Sequence, residues 1–206
     1  MITRRELTSQ QVINRIEEAK HAYACFMDVV FPGWTTDPNS IDTPERVAKM
    51  FIKELSEGLN MPKPKITDFD NVDGYKGIVF QGNIEVKSFC SHHHMPFFGK
   101  AHVAYIPAEK GGKIIGLSKL NRIVNYFARR PQVQENLTKQ ILDYLNNALK
   151  GNRGIAVSIE ANHTCVSHRG INQYSTMKTT DLSGFFFTNE IGTRDEFYRM
   201  LGDLKR

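Results

Sequence analysis

The chain has 206 residues, a length that suggests one domain, with room for an N-terminal extension. Lys plus Arg number 27 against 22 Asp plus Glu, a formal charge of +5, and 40% of residues are hydrophobic against 24% charged. That balance excludes disordered, collagenous and coiled-coil chains. A core of this size buries roughly 70% of the unfolded surface, so disulfide staples are not needed.

No apolar run approaches the ~20 residues that cross a bilayer, and no membrane association is expected. The basic start, Met1-Ile2-Thr3-Arg4-Arg5-Glu6, has no apolar stretch after it, so a secretory leader is not expected. Three cysteines, a small and odd number, fit a reducing, cytoplasmic setting in which thiols serve as ligands or nucleophiles. A sequence pI near 9.1 is compatible with an anionic ligand and equally with an ordinary solvated face.

In chain order, Val12, Ile13, Ile16, Ala19 and Tyr23 recur at helical spacing and predict a helix from Ser9 to about Val30, stopped by Phe31-Pro32-Gly33. A polar loop follows. Thr43-Pro44-Glu45 reads as a helix start, with Thr43 as N-cap and Val47, Phe51 and Leu55 on one face. This sets residues 1–60 as an N-terminal helical region, 61–75 as a connector and 76–206 as the main domain. In the main domain, residues 76–90 and 97–107 are β-rich. Ser118 reads as the cap of a helix bearing Leu120, Ile123, Val124, Phe127 and Ala128. Beyond Pro131 a second helix carries Val133, Leu137, Ile141, Leu145 and Leu149, with Gly151 at its end. Residues 154–162 alternate again, a last strand spans about Ser175 to Phe187, and Thr193-x-x-Glu196 reads as a capping box. Two strands, two helices and two strands imply an α+β arrangement, an antiparallel sheet with helices on one face.

The densest reactive cluster is Cys90-Ser91-His92-His93-His94; a second, His163-Thr164-Cys165, lies at the end of the third main strand. Sulfur and imidazole nitrogen are the usual ligands of zinc. A catalytic zinc, a closed four-ligand structural zinc and no metal all remain open on this pattern. The surplus of histidines favours catalysis, because three ligands leave His92 and His163 for proton transfer. Cys25, in the first helix, reads as packing. Ser118, Lys119 and Arg122 place a hydroxyl and two cations around a helix start, which suits a phosphate or just a solvated helix. Gln134 and Glu135 open the next helix. The carboxylate there is either a partner of the helix dipole or an acceptor for a donor edge such as that of guanine. Arg169 follows Cys165 closely enough to reach the same mouth. His102 and His168 read as structural or surface histidines.

Cys90 to Pro107 (CSHHHMPFFGKAHVAYIP), Gly116 to Arg122, Ala128 to Gln140 (ARRPQVQENLTKQ) and His163 to Gly170 resemble the signature blocks of the GTP cyclohydrolase I family. The early Thr43-Pro44-Glu45-Arg46-Val47-Ala48 is similar to that family's N-terminal helical motif, and the likeness runs in order from about residue 10 to 187. The resemblance implies the tunnelling fold, a ββααββ unit preceded by N-terminal helices. It also implies a homodecamer of two pentamers with active sites at subunit interfaces. It assigns Cys90, His93 and Cys165 to Zn²⁺, His92 and His163 to acid–base work, and Ser118 to the ribose. Glu135 would anchor guanine with Gln134 beside it, and Lys119, Arg122 and Arg169 would hold the triphosphate. The reaction implied is zinc-dependent hydrolysis and rearrangement of GTP to 7,8-dihydroneopterin triphosphate with release of formate. One position departs: Ser91 stands where the family carries Glu, removing a negative charge beside the metal. An alternative reading is therefore a zinc-binding homologue with altered or lost activity. A nucleic-acid-binding role finds little support, since no basic stripe with interleaved aromatics is present.

Overall fold

The computed structural model describes residues 7–109 and 111–204. The chain divides into two compact units, the first ending at Pro62 and the second beginning at Lys63. The first unit is helical. Helix α1 (Ser9–Val30) starts at a reciprocal cap: Thr8 Oγ1 accepts from the Gln11 amide while Gln11 Oε1 accepts from the Thr8 amide. Helix α2 (Thr43–Lys49) is capped by Asp42 rather than Thr43, which occupies the first helical position with Pro44 behind it. It runs on through a π-helical turn, Met50–Leu55, to the short α3 (Glu57–Asn60). Ile16, Met27, Pro44 and Ala48 are buried in this unit.

The second unit carries β1 (Asp68–Asp70), β2 (Val79–Cys90), β3 (Pro96–Ile106), β4 (Lys113–Ile115), α4 (Leu117–Ala128), β5 (Pro131–Gln132), α5 (Gln134–Ala148), β6 (Gly154–His163), α6 (Thr164–Ser167), β7 (Thr176–Leu182), α7 (Phe185–Thr188) and α8 (Thr193–Asp203). The described residues form a small β1–β4 ribbon and a larger sheet in the order β5-β2-β3-β6-β7, antiparallel except where β5 runs parallel to β2. This is an α+β unit, as the alternation of strands and helices predicts. The expected connector is not structureless: its Asp68–Asp70 stretch is β1, paired with β4.

Alternation decides which strand face is buried. Phe97, Ala101, Val103 and Tyr105 of β3 point into a core closed by Leu120, Ile123, Val124 and Phe127 of α4 and by Leu137, Ile141 and Leu145 of α5. The helices are not confined to that face. Ala104 and Ile106, on the other side of β3, pack with Phe186 of α7 and with Phe197 and Leu201 of α8.

Three local expectations are corrected. The last strand stops at Leu182 instead of reaching Phe187, because Gly184 takes φ +56° and turns the chain into α7. Gly116, not Ser118, is the N-cap of α4, so the Ser118 hydroxyl lies on the helix surface. At α8 the left-handed Gly192 is the cap, and Thr193 Oγ1 donates to the Phe185 carbonyl instead of closing a capping box. Among the described residues no helix is long and apolar enough to cross a membrane.

Candidate active site

Strand register brings the two reactive clusters together. Phe97, near the start of β3, pairs with Ser88 on one side and with His163 on the other, so the ends of β2 and β6 lie at the same edge of the sheet. The β2–β3 turn is tight: the Cys90 amide donates to the Met95 carbonyl, the His94 amide donates to the Cys90 carbonyl, and His94 takes φ +52°. Cys165 follows two residues after His163 in α6. Strand β5 adds the third component. Cys90 pairs with Gln132, so α5 begins at this corner with Gln134 and Glu135 in its first turn.

The result is a thiol–imidazole group in which ligand atoms of Cys90, His163 and Cys165 all lie within 4.8 Å of one another. Cys90 is buried, and its Sγ lies 3.6 Å from His92 Nδ1. Burial pushes the Cys165 thiol above its ordinary range, the neighbouring Cys90 pushes it further, and the charge of Arg169 opposes both. Burial lowers the His163 pKa, partly offset by the negative charge of Glu135. Burial thus favours the uncharged form of His163, and its ring lies flat on Phe97 with centroids 4.3 Å apart.

His93 is placed differently from the expectation that it joins the two cysteines. It is exposed, and Arg169 Nη1 donates to its Nε2 at 2.9 Å. Guanidinium only donates, so that nitrogen carries the ring's lone pair. Ser91 is exposed and its amide donates to the Gln132 carbonyl. The carboxylate of Glu135 is exposed at the corner, whereas Gln134 is only 1% exposed and bonded entirely inside the protein. Cys25 does not pack: it is exposed, 3.9 Å from His21 in the same helix.

Ser118, Lys119 and Arg122 lie in the half of α4 away from this corner. They lie on the first turns of α4, where Gln81 Nε2 donates to Asn121 Oδ1. Gln81 is near the start of β2 and Cys90 at its end, a separation of roughly 30 Å along an extended strand. The other end of α4 is the one that approaches the corner, with Ser88 Oγ donating to the Arg130 carbonyl. Sequence spacing carries no sign of this, because it depends on which way α4 runs along β2.

An α+β unit with two thiols and an imidazole converging beside an acidic helix start is the class that the fold and the corner define. The sequence model of the family described as GTP cyclohydrolase I matches residues 34–202. A GTP cyclohydrolase 1 of Flavobacterium johnsoniae is 50% identical over 153 residues, covering 73% of this chain and 67% of that protein. Those of Aeromonas salmonicida and Chlorobaculum tepidum are 45% and 47% identical over 171 and 163 residues, covering 82% and 78% of this chain and 75% and 70% of theirs. The chain belongs to the GTP cyclohydrolase I family of enzymes.

Proposed function

We propose that the protein converts GTP and water to 7,8-dihydroneopterin triphosphate and formate, using the tunnelling fold and a zinc ion at the Cys90–Cys165 corner. The observation that carries this is the convergence of Cys90, His163 and Cys165 within 4.8 Å. Two soft thiols with imidazoles alongside suit zinc, and of those imidazoles His163 is kept for proton transfer. Cys90, Cys165 and His93 would hold it, His93 by exchanging Arg169 for the metal. When bound, zinc supplies Lewis acidity and lowers the pKa of water at the site toward 7.

The chain's own residues do the rest. Glu135 accepts from the N1–H and exocyclic amine of guanine and so sets C8 at the histidines. His163, pinned on Phe97, takes a proton from the water adding at C8 and delivers it to purine N7 as the imidazole ring opens. His92, beside Cys90, serves the second hydrolytic step that frees formate. Ring reclosure expels one water, so one water is consumed overall. Ser118 contacts the ribose, and Lys119, Arg122 and Arg169 hold the triphosphate, acting by binding and orientation. Because Ser118, Lys119 and Arg122 lie at the far end of β2 from Cys90, the complete site requires a second copy, in keeping with a homodecamer in a reducing cytoplasm.

The test is formate release, together with the fluorescence of the oxidised pterin, from zinc-loaded protein and GTP. Stoichiometric zinc with no pterin between about pH 6 and 9, a span that brackets histidine titration, favours the altered homologue. In that case Ser91→Glu restores turnover.

A further inference from the structure

We infer that Gln134 is a positioning residue of the reaction: it fixes His163 as the Nε2–H tautomer and does not touch the purine. The inference rests on the reading of His163 as a proton-transfer group. It starts from where the Gln134 amide goes. Its Nε2 lies 3.1 Å from the Ile159 carbonyl, 3.1 Å from the Met177 carbonyl and 3.2 Å from Thr179 Oγ1. Two of these partners are main-chain oxygens that can only accept, so the amino end of the amide must face them. The oxygen end therefore faces His163, 2.8 Å from its Nε2. An amide oxygen only accepts, so that ring nitrogen is the donor and the lone pair of the neutral ring resides on Nδ1.

The amide cannot turn over to reverse this. Flipping it would set an oxygen against two carbonyl oxygens in a site where Gln134 is 1% exposed. Its main chain is held as well: Thr138 Oγ1 donates to the Gln134 carbonyl and lies 2.6 Å from Thr179 Oγ1. Gln134 thus ties α5, β6 and β7 to one face of the imidazole ring's edge. The amide oxygen fixes the orientation of the ring through this one bond. With every polar atom of the side chain engaged, the base edge of a substrate is left to the exposed Glu135.

The closing experiment has two readouts on the zinc-loaded protein. In protein labelled with ¹⁵N-histidine, the His163 resonances, assigned by subtracting the spectrum of His163→Asn, should show the proton on Nε2. A proton on Nδ1 overturns the inference whatever the activity. In Gln134→Met, the rate of formate release at saturating GTP should fall by roughly 100-fold or more, while the equilibrium Kd for GTP changes less than threefold. A raised Kd with the saturated rate retained makes Gln134 a purine contact and sinks the proposal. Should Gln134→Met not fold, the labelled unsubstituted protein decides alone. Absence of formate from that protein would tell against the cyclohydrolase reading, and the tautomer measurement would still stand.

Discussion

Phe97 lies against the His163 imidazole with the two rings 12° from parallel, and the register pairs the same two residues directly across β3 and β6. One aromatic side chain therefore packs the sheet core and sets the plane of the histidine. Phe97 is fully buried. Phe97→Ala should cost about 3–5 kcal/mol by urea unfolding. Phe97→Leu should cost less, and should lower kcat for formate more than it raises KM, because its aliphatic side chain offers no flat face to the ring.

Zinc loading should depend on pH. The Cys165 thiol is held above its ordinary range by burial and by Cys90, so it is protonated at neutral pH, and a metal must displace that proton. Zinc titrated into metal-free protein at pH 7 should release protons into a weak buffer, and affinity should rise between pH 6 and 8. Cys165→Ala should abolish zinc retention on gel filtration and formate release together. Full zinc content in that variant would move the metal elsewhere.

Tyr105 is buried, its hydroxyl accepts from the Ile115 amide at 2.9 Å, and burial raises its pKa above the usual value near 10. A raised folded-state pKa means that this stability is fully present below pH 10 and is lost as pH climbs through the folded value. Tyr105→Phe should be weaker by about 1–2 kcal/mol at pH 7, since the Ile115 N–H loses its acceptor. Its urea midpoint should then fall less steeply than that of the unsubstituted protein above pH 10.

These residues differ in how far the sequence disclosed them. The stripes Leu120-Ile123-Val124-Phe127 and Leu137-Ile141-Leu145 are legible because helical periodicity is local, and all seven are buried. Caps were less so. Ser118 and Thr193 have the right chemistry, but a glycine precedes each helix at Gly116 and Gly192, and Thr193 finds a better acceptor in the Phe185 carbonyl. The Cys90 and Cys165 clusters announced themselves by residue type. Their meeting depends on the Ser88–Phe97–His163 register and on a two-residue parallel strand at Pro131–Gln132, neither of which has a local signal. The burial of Gln134 was hidden for the same reason: its partners lie 25 to 45 residues along the chain.

The direction of α4 yields a last prediction. Arg122 lies in the first half of α4, next to Asn121 and its partner Gln81, and Cys165 lies at the opposite end of the sheet, so the proposed site takes the two from different copies. Arg122→Ala and Cys165→Ala should each be inactive alone. Mixed during refolding or co-expressed, they should recover activity. With random assembly at equal dose, a site drawing its Arg122 from one chain and its Cys165 from another is intact in about one case in four, so activity should approach a quarter of the unsubstituted level. If one chain supplied both residues, no mixture of the two variants could contain an intact site, and the mixture would stay inactive. Size-exclusion chromatography of the mixture, showing the same assembly as the parent, separates that result from failure to assemble.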